Sequence, residues 1–209
     1  MPTKGAVIVD YETGNLGSLR NMLRRLGVEA EISGDPSVLS RASAIFLPGV
    51  GAYDRGMGNL NRLGLVPLLD DLVLKRRVPV LGICLGMQLL CGGSEEGDLQ
   101  GLGWIPGRCV RFREAPGRRV PLMGWRSVAP RKPDALLDDM DPKARFYFVH
   151  SYHMACEDPA DVLATSDYGD PFVCAVSRGN IRGVQFHPEK SLRHGMRVLE
   201  NFCRGCGLL

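Results

Sequence analysis

Val78-Pro79-Val80-Leu81-Gly82-Ile83-Cys84-Leu85-Gly86-Met87-Gln88 is a short apolar run with β-branched residues that ends in Gly-x-Cys-x-Gly and leads straight into an amphipathic segment. Strand, sharp turn and helix in this order are the pattern of a nucleophile elbow, with the nucleophile at the turn. So tight a turn strains the backbone, and side chains at Gly82 and Gly86 are expected to collide with the flanking strand and helix. At the start of a helix, Cys84 would also feel the positive end of the dipole, which favours thiolate over thiol. A small buried cysteine fits the same stretch, because free Cys is among the most buried residue types.

On the N-terminal side, Gly5 to Asp10 and Ala44 to Leu47 are continuous apolar runs of the kind buried on both faces of a parallel sheet. Leu16, Leu19, Met22, Leu23 and Leu26 recur at helical spacing before Gly27, and Asp35-Pro36-Ser37 reads as the start of a short helix. Val28 to Ile32 is a further strand. A helix is expected from Leu60 to Leu74, kinked or broken at Pro67, and another from Leu85 to about Cys91. This alternation predicts an α/β fold, a doubly wound, mostly parallel sheet with ligands at the C-terminal ends of its strands. After Gly92 the texture changes. Short runs at Cys109–Phe112 and Val120–Val128, with a turn at Pro116-Gly117 between them, point to an antiparallel extension. Arg145–Val149, Val162–Thr165, Phe172–Val176 and Ile181–Phe186 add strands, and His194 to Cys203 closes the chain as a helix. No repeat or linker interrupts it, so residues 1–209 read as one domain.

Bulk properties exclude several classes. The 209 residues are 44% hydrophobic and 23% charged, with a net charge of +3. Basic residues are scattered apart from Lys75-Arg76-Arg77 and Arg118-Arg119, which argues against nucleic acid as a main partner. There is no apolar run of membrane-spanning length, and Met1 to Lys4 lead directly into a strand, so neither a membrane span nor a signal peptide is expected. Seven cysteines without dense spacing suit a reducing cytoplasm. Cys203-Arg204-Gly205-Cys206 lacks a second ligand pair for zinc and reads as a frayed tail with incidental thiols; no metal site is expected.

A cysteine nucleophile needs a base and usually a third group that holds the base. Of four histidines, His187 follows a buried strand in Val184-Gln185-Phe186-His187-Pro188-Glu189. Pro188 biases His187 towards extended backbone, and strand periodicity then sets Glu189 on the same side, able to hold one ring nitrogen while the other faces the thiol. Acyl transfer also needs backbone N–H donors for an oxyanion, for which the Leu85 amide and Pro48-Gly49-Val50-Gly51 are candidates; an ordinary tight turn fits the second equally well.

Pro48-Gly49-Val50-Gly51, Leu81 to Gln88, Phe146 to Tyr152, Ser94-Glu95-Glu96 and Gln185 to Ser191, in this order along essentially the whole chain, resemble the class I (triad-type) glutamine amidotransferases. Within them the resemblance is greatest to the glutaminase subunits of imidazole glycerol phosphate synthases. The resemblance implies a flavodoxin-like sheet, no cofactor, and L-glutamine as substrate. It implies that Cys84 attacks the carboxamide and that His187, oriented by Glu189, shuttles protons. Gly49, Val50, Gly51 and Leu85 would line the oxyanion hole, and Gln88, Glu96, Ser151 and Tyr152 would contact glutamine. Ammonia would pass to a cyclase subunit with a (β/α)8 barrel, with Asn15, Trp125 and Lys190 at the interface. The family usually has other residues where Glu12-Thr13 and Leu122 and Arg126 stand, and the stretches around His153, Cys156 and His194 are more like paralogues that serve a synthetase of surface-glycan pathways. A cysteine peptidase and a non-catalytic binding module are the readings outside this chemistry; the polar residues Gln88 and Tyr152 speak against the first, and the retained Cys84, His187 and Glu189 against the second.

Overall fold

Successive residues of a strand point to opposite faces, and in this chain both faces are covered. Ala6, Ile8, Ala44 and Phe46 enter one apolar cluster, while Val7, Val9, Ile45 and Leu47 enter a second one across the sheet. A computed structural model describes residues 5–115 and 117–209. The first half of the chain runs β1 (Gly5–Val9), α1 (Leu16–Arg25), β2 (Ala30–Ser33), α2 (Pro36–Leu39), β3 (Ala42–Gly49), α3 (Tyr53–Arg62), α4 (Leu65–Asp70), β4 (Val80–Cys84) and α5 (Leu85–Gln88). The second half runs β5 (Gly107–Arg111), β6 (Leu122–Ser127), β7 (Ala129–Pro130), β8 (Arg145–His150), β9 (Tyr152–Cys156), β10 (Val162–Asp167), β11 (Pro171–Arg178), β12 (Ile181–Val184) and α6 (Leu192–Gly205).

The main sheet has the order β2-β1-β3-β4-β12-β11-β10-β7, with β9 bridging β11 and β5. From β2 to β12 neighbouring strands are parallel. From β12 onward they are antiparallel. β6 and β8 form a separate antiparallel pair. This is the doubly wound, mostly parallel sheet with an antiparallel extension that the sequence predicts. Its decisive detail is that β12, late in the chain, returns to lie parallel beside β4. That return brings the end of β12 next to the elbow.

Several elements differ from expectation. The helix expected over Leu60–Leu74 is two helices, and α3 starts early, at Tyr53, through a stretch that holds Gly56 and Gly58. The break falls at Gly64, whose φ of +65° sits outside the helical region, and not at Pro67. Pro67 occupies the first turn of α4, where its missing N–H would have had no intrahelical partner. A π-helical turn follows at Asp71–Lys75. The elbow helix ends at Gln88, so it is a single turn shorter than expected. β9 was not expected. Cys203 lies in no frayed tail: it is buried within α6, where the neighbouring Phe202 ring packs 5.1 Å from that of Phe46. All the cysteines are free thiols. The turn expected at Pro116-Gly117 includes Pro116, which lies outside the described residues, as do Met1 to Lys4; Ala115 and Arg118 beside it exchange two backbone hydrogen bonds. Among the described residues no helix is long and apolar enough to cross a membrane.

Candidate active site

The last residue of β4 is Cys84, held at φ +55° and ψ −112°. A non-glycine residue there carries strain on the order of 1–3 kcal/mol, which the surroundings must impose. They do so through close packing. A Cβ on Gly82 would come within 2.8 Å of the Gly86 carbonyl oxygen, and one on Gly86 within 1.7 Å of the Leu47 carbonyl oxygen. The elbow can therefore seat its helix turn against β3 and β4 only with glycine at both positions.

β12 delivers the second group. Val184 pairs with Ile83, and three residues later His187 stands beside the elbow. Its backbone N–H donates to the Tyr147 carbonyl at 3.0 Å, and the Ser191 hydroxyl donates to its carbonyl at 2.6 Å. Pro188–Lys190 form a 3-10 turn, so Glu189 reaches the ring by a fold-back of the chain and not by strand alternation. His187 Nδ1 lies 2.7 Å from Glu189 Oε1. A carboxylate can only accept, so Nδ1 carries the hydrogen and Nε2 is left for the thiol. Burial opposes charge on the imidazole, but the neighbouring Cys84 sulfur and the hydrogen bond to Glu189 outweigh it and raise its pKa to about 10. These surroundings favour the cationic ring beside the sulfur.

These groups open on a cavity of about 300 Å³. Cys84, His187, Gln88, Glu96, Ser151 and Tyr152 line it, with Val50, Gly51 and Leu85 at one wall. A cavity of this size and polarity suits one small polar metabolite. Glu96 is fixed by the Tyr53 N–H, which donates to Oε2 at 2.9 Å. Of the residues proposed for an oxyanion hole, Gly49 does not line the cavity; it pairs with Cys84 across β3 and β4 and packs against Tyr11. The Val50 N–H donates to Thr13 Oγ1 at 3.1 Å and so is not presented to the cavity, while the Thr13 hydroxyl donates back to the Val50 carbonyl.

Trp125, Tyr147 and Lys190 form one surface patch: the Trp125 and Tyr147 rings meet edge-on at 6.0 Å, and Lys190 Nζ lies 5.6 Å from the Tyr147 ring. Asn15 is exposed at the start of α1, one residue from Gly14, which backs onto Gly49. Arg126 is not part of the patch. It points to the opposite face of β6 from Trp125, its guanidinium 5.1 Å over the Tyr168 ring. Glu12 is tied to Arg62 in an ion pair.

Two polar residues at this site escape a reading by sequence. His150 Nδ1 donates to the Tyr152 carbonyl at 2.8 Å, which leaves Nε2 unprotonated, buried and without a partner among the described residues. Burial pushes its pKa down to about 3. Gln185 is wholly buried between Gln88 and Cys84. Its signal is a lone amide between the apolar residues Val184 and Phe186, just before His187.

Residues 7–206 match the family described as glutamine amidotransferase class-I. The chain is 47% identical over 94% of its length, and 98% of the relative's, to "Imidazole glycerol phosphate synthase subunit HisH 2" of Methanococcus maripaludis. It is 46% identical to the Pseudomonas aeruginosa protein of the same description, over 94% of this chain and 97% of that one. A Bdellovibrio bacteriovorus "Imidazole glycerol phosphate synthase subunit HisH" is also 46% identical, over 93% and 97%. Among solved structures, a glutamine amidotransferase superposes with a TM-score of 0.74 at 22% identity, covering 97% of this chain and all of the other. PurLQS from Thermotoga maritima gives 0.73 at 19% identity, over 97% of this chain and 99% of that one. At these identities the superpositions speak to the fold alone.

Proposed function

The chain belongs to the class-I glutamine amidotransferases, and from that premise we propose that it is the glutaminase subunit of an imidazole glycerol phosphate synthase, a single glutaminase domain working in the cytoplasm. What supports the reading of the site is one observation above all: the His187 imidazole is bonded to Glu189 through Nδ1 and lines, together with Cys84, one small polar cavity.

In this reading the Cys84 thiolate attacks the side-chain carboxamide carbon of glutamine, and the carbonyl oxygen becomes an oxyanion beside the Leu85 amide. His187 Nε2 gives its proton to the leaving nitrogen, ammonia departs, and a γ-glutamyl thioester remains. Water then attacks the thioester while Nε2 takes its proton; the C–S bond breaks, glutamate is released, and the thiolate–imidazolium pair is restored. Glu189 does not react; it keeps the imidazole in one tautomer and balances its charge.

Ammonia released into water is protonated and loses its nucleophilicity, so the chemistry calls for a partner that receives it directly. We assign that role to a cyclase subunit docked over the Trp125, Tyr147 and Lys190 patch. The patch is joined to the catalytic strand end, since the Tyr147 carbonyl takes the His187 N–H and the Tyr147 N–H donates to Ser191 Oγ at 3.0 Å.

The test is glutamate release by wild type and Cys84→Ala, each with and without a histidine-pathway cyclase. Wild type should be stimulated by the cyclase. Cys84→Ala should lose turnover while it still co-elutes with the cyclase in size-exclusion chromatography. Substantial hydrolysis by Cys84→Ala would remove Cys84 as nucleophile; stimulation only by a surface-glycan synthetase would change the acceptor and leave the thioester chemistry intact.

A further inference from the structure

Gln185 has no part in the steps above, yet its position is set by the same strand register that sets His187. Val184, the last residue of β12, pairs with Ile83, and Gln185 directly after it brings its amide to the sulfur of Cys84. Its side chain joins two functional residues. Gln88 Nε2 donates to the Tyr152 carbonyl at 2.8 Å and to Gln185 Oε1 at 3.2 Å, and Gln185 Nε2 lies 3.9 Å from Cys84 Sγ.

The direction of this relay is fixed from one end. A carbonyl can only accept, so the Tyr152 oxygen must meet the amino end of Gln88. The same oxygen takes His150 Nδ1–H at 2.8 Å, which fills its second lone pair. With both Gln88 N–H groups engaged, Gln185 has to show its oxygen to Gln88 and its amino group to the sulfur. A neutral thiol is a weak acceptor, whereas a thiolate accepts a charge-assisted bond about twice as strong as a neutral one. A buried amide N–H pointed at sulfur therefore favours the ionised form. At the other end, Gln88 Oε1 has no protein partner among the described residues, and Gln88 lines the cavity. The relay leaves that oxygen as an acceptor for an N–H of the substrate.

We propose that Gln185 is a positioning residue of the glutaminase: it donates to the Cys84 sulfur to hold it as thiolate, and it locks Gln88 with its oxygen towards the substrate. The proposal rests on the reading of Cys84 as nucleophile, and its test separates the two. Alkylation of Cys84 by iodoacetamide, followed at that residue by peptide mass spectrometry across a pH series, reports the thiolate without any need for turnover. The other titratable groups that bear on the sulfur or the cavity are Tyr11 after β1, Glu96 after α5, His150 on β8, Tyr152 on β9, and His187 and Glu189 after β12; the variants leave all of them in place.

Gln185→Met keeps the length of the side chain and removes both polar ends. It should move the alkylation midpoint upward by about one pH unit, which is about tenfold less thiolate at neutral pH. Gln185→Glu, isosteric with the wild type, should move it further, because a carboxylate repels the thiolate. In both, kcat/KM for glutamine should fall about 10- to 100-fold, with KM raised as well as kcat lowered. A midpoint unchanged from wild type in either variant, with native circular dichroism, overturns the proposal. Glutamine turnover by Cys84→Ala would instead strike the reading of the nucleophile itself, whatever the alkylation series shows.

Discussion

Two histidines stand at the ends of two strands around one cavity, and they carry opposite charge states. His187 follows β12 and His150 ends β8, and both rings are buried. For each, burial acts against the cation. His187 overcomes it because Glu189 takes Nδ1–H and the Cys84 sulfur lies on its other side. Among the described residues His150 has only a backbone carbonyl as hydrogen-bond partner, and a carbonyl offers a dipole where Glu189 offers a full charge. The second histidine is therefore a neutral strut that holds the Tyr152 carbonyl, while the first suits the acid and base role proposed for it. Both rings line the cavity, so what distinguishes His187 is its carboxylate partner.

The comparison can be tested by removing its terms. His187→Gln should cost about 10²- to 10⁴-fold in kcat, the usual worth of a general acid–base, and stopped-assay kinetics with the partner present will measure it. Glu189→Gln should cost less, about tenfold, because it orients the ring and does not transfer protons. In that variant the imidazole titration, followed by NMR, should fall from its raised position back towards the ordinary histidine range. A His187 titration unmoved by Glu189→Gln would mean that the carboxylate is not what separates the two rings.

Smaller in size, but opposite in sign, are the effects of pH on folding stability. The folded-state pKa of His187 is raised from 6.5 to about 10, so its contribution is complete below about 6.5 and is lost as pH rises through about 10. That of His150 is lowered from 6.5 to about 3, so its contribution is complete above about 6.5 and is lost as pH falls towards 3. Urea unfolding of wild type against His187→Gln should show a gap in midpoint that closes on the alkaline side. Against His150→Asn the gap should close on the acid side. Two gaps that close in the same direction would refute the assignment of charge.

The sequence announces much of this. The parallel strands are legible because they are continuous apolar runs, and the elbow because glycine brackets the cysteine. His187 and Glu189 are legible because Pro188 marks the strand end. What stays hidden depends on contacts distant along the chain. β9 has a single buried residue, Met154, and is held mainly by pairing with β5, so it carries no alternation to read. α3 begins in a stretch with two glycines, one of which, Gly56, is needed to admit Leu85 and Leu89 close to the helix backbone. Pro67 reads as a helix breaker until Gly64 is seen to have ended the previous helix. Gln185 finds Gln88 and Cys84 across about a hundred residues, a distance at which no spacing rule operates.

The central claim is that glutamine is opened by Cys84 through a covalent intermediate. Its most direct test is to mix wild type, partner and glutamine, quench with acid, and search the digest by mass spectrometry for a γ-glutamyl group. The account predicts the group on Cys84, in more of the chains for His187→Gln than for wild type if that variant slows thioester hydrolysis more than attack. Ammonia release with no adduct on Cys84 under these conditions, or an adduct on another residue, would contradict it.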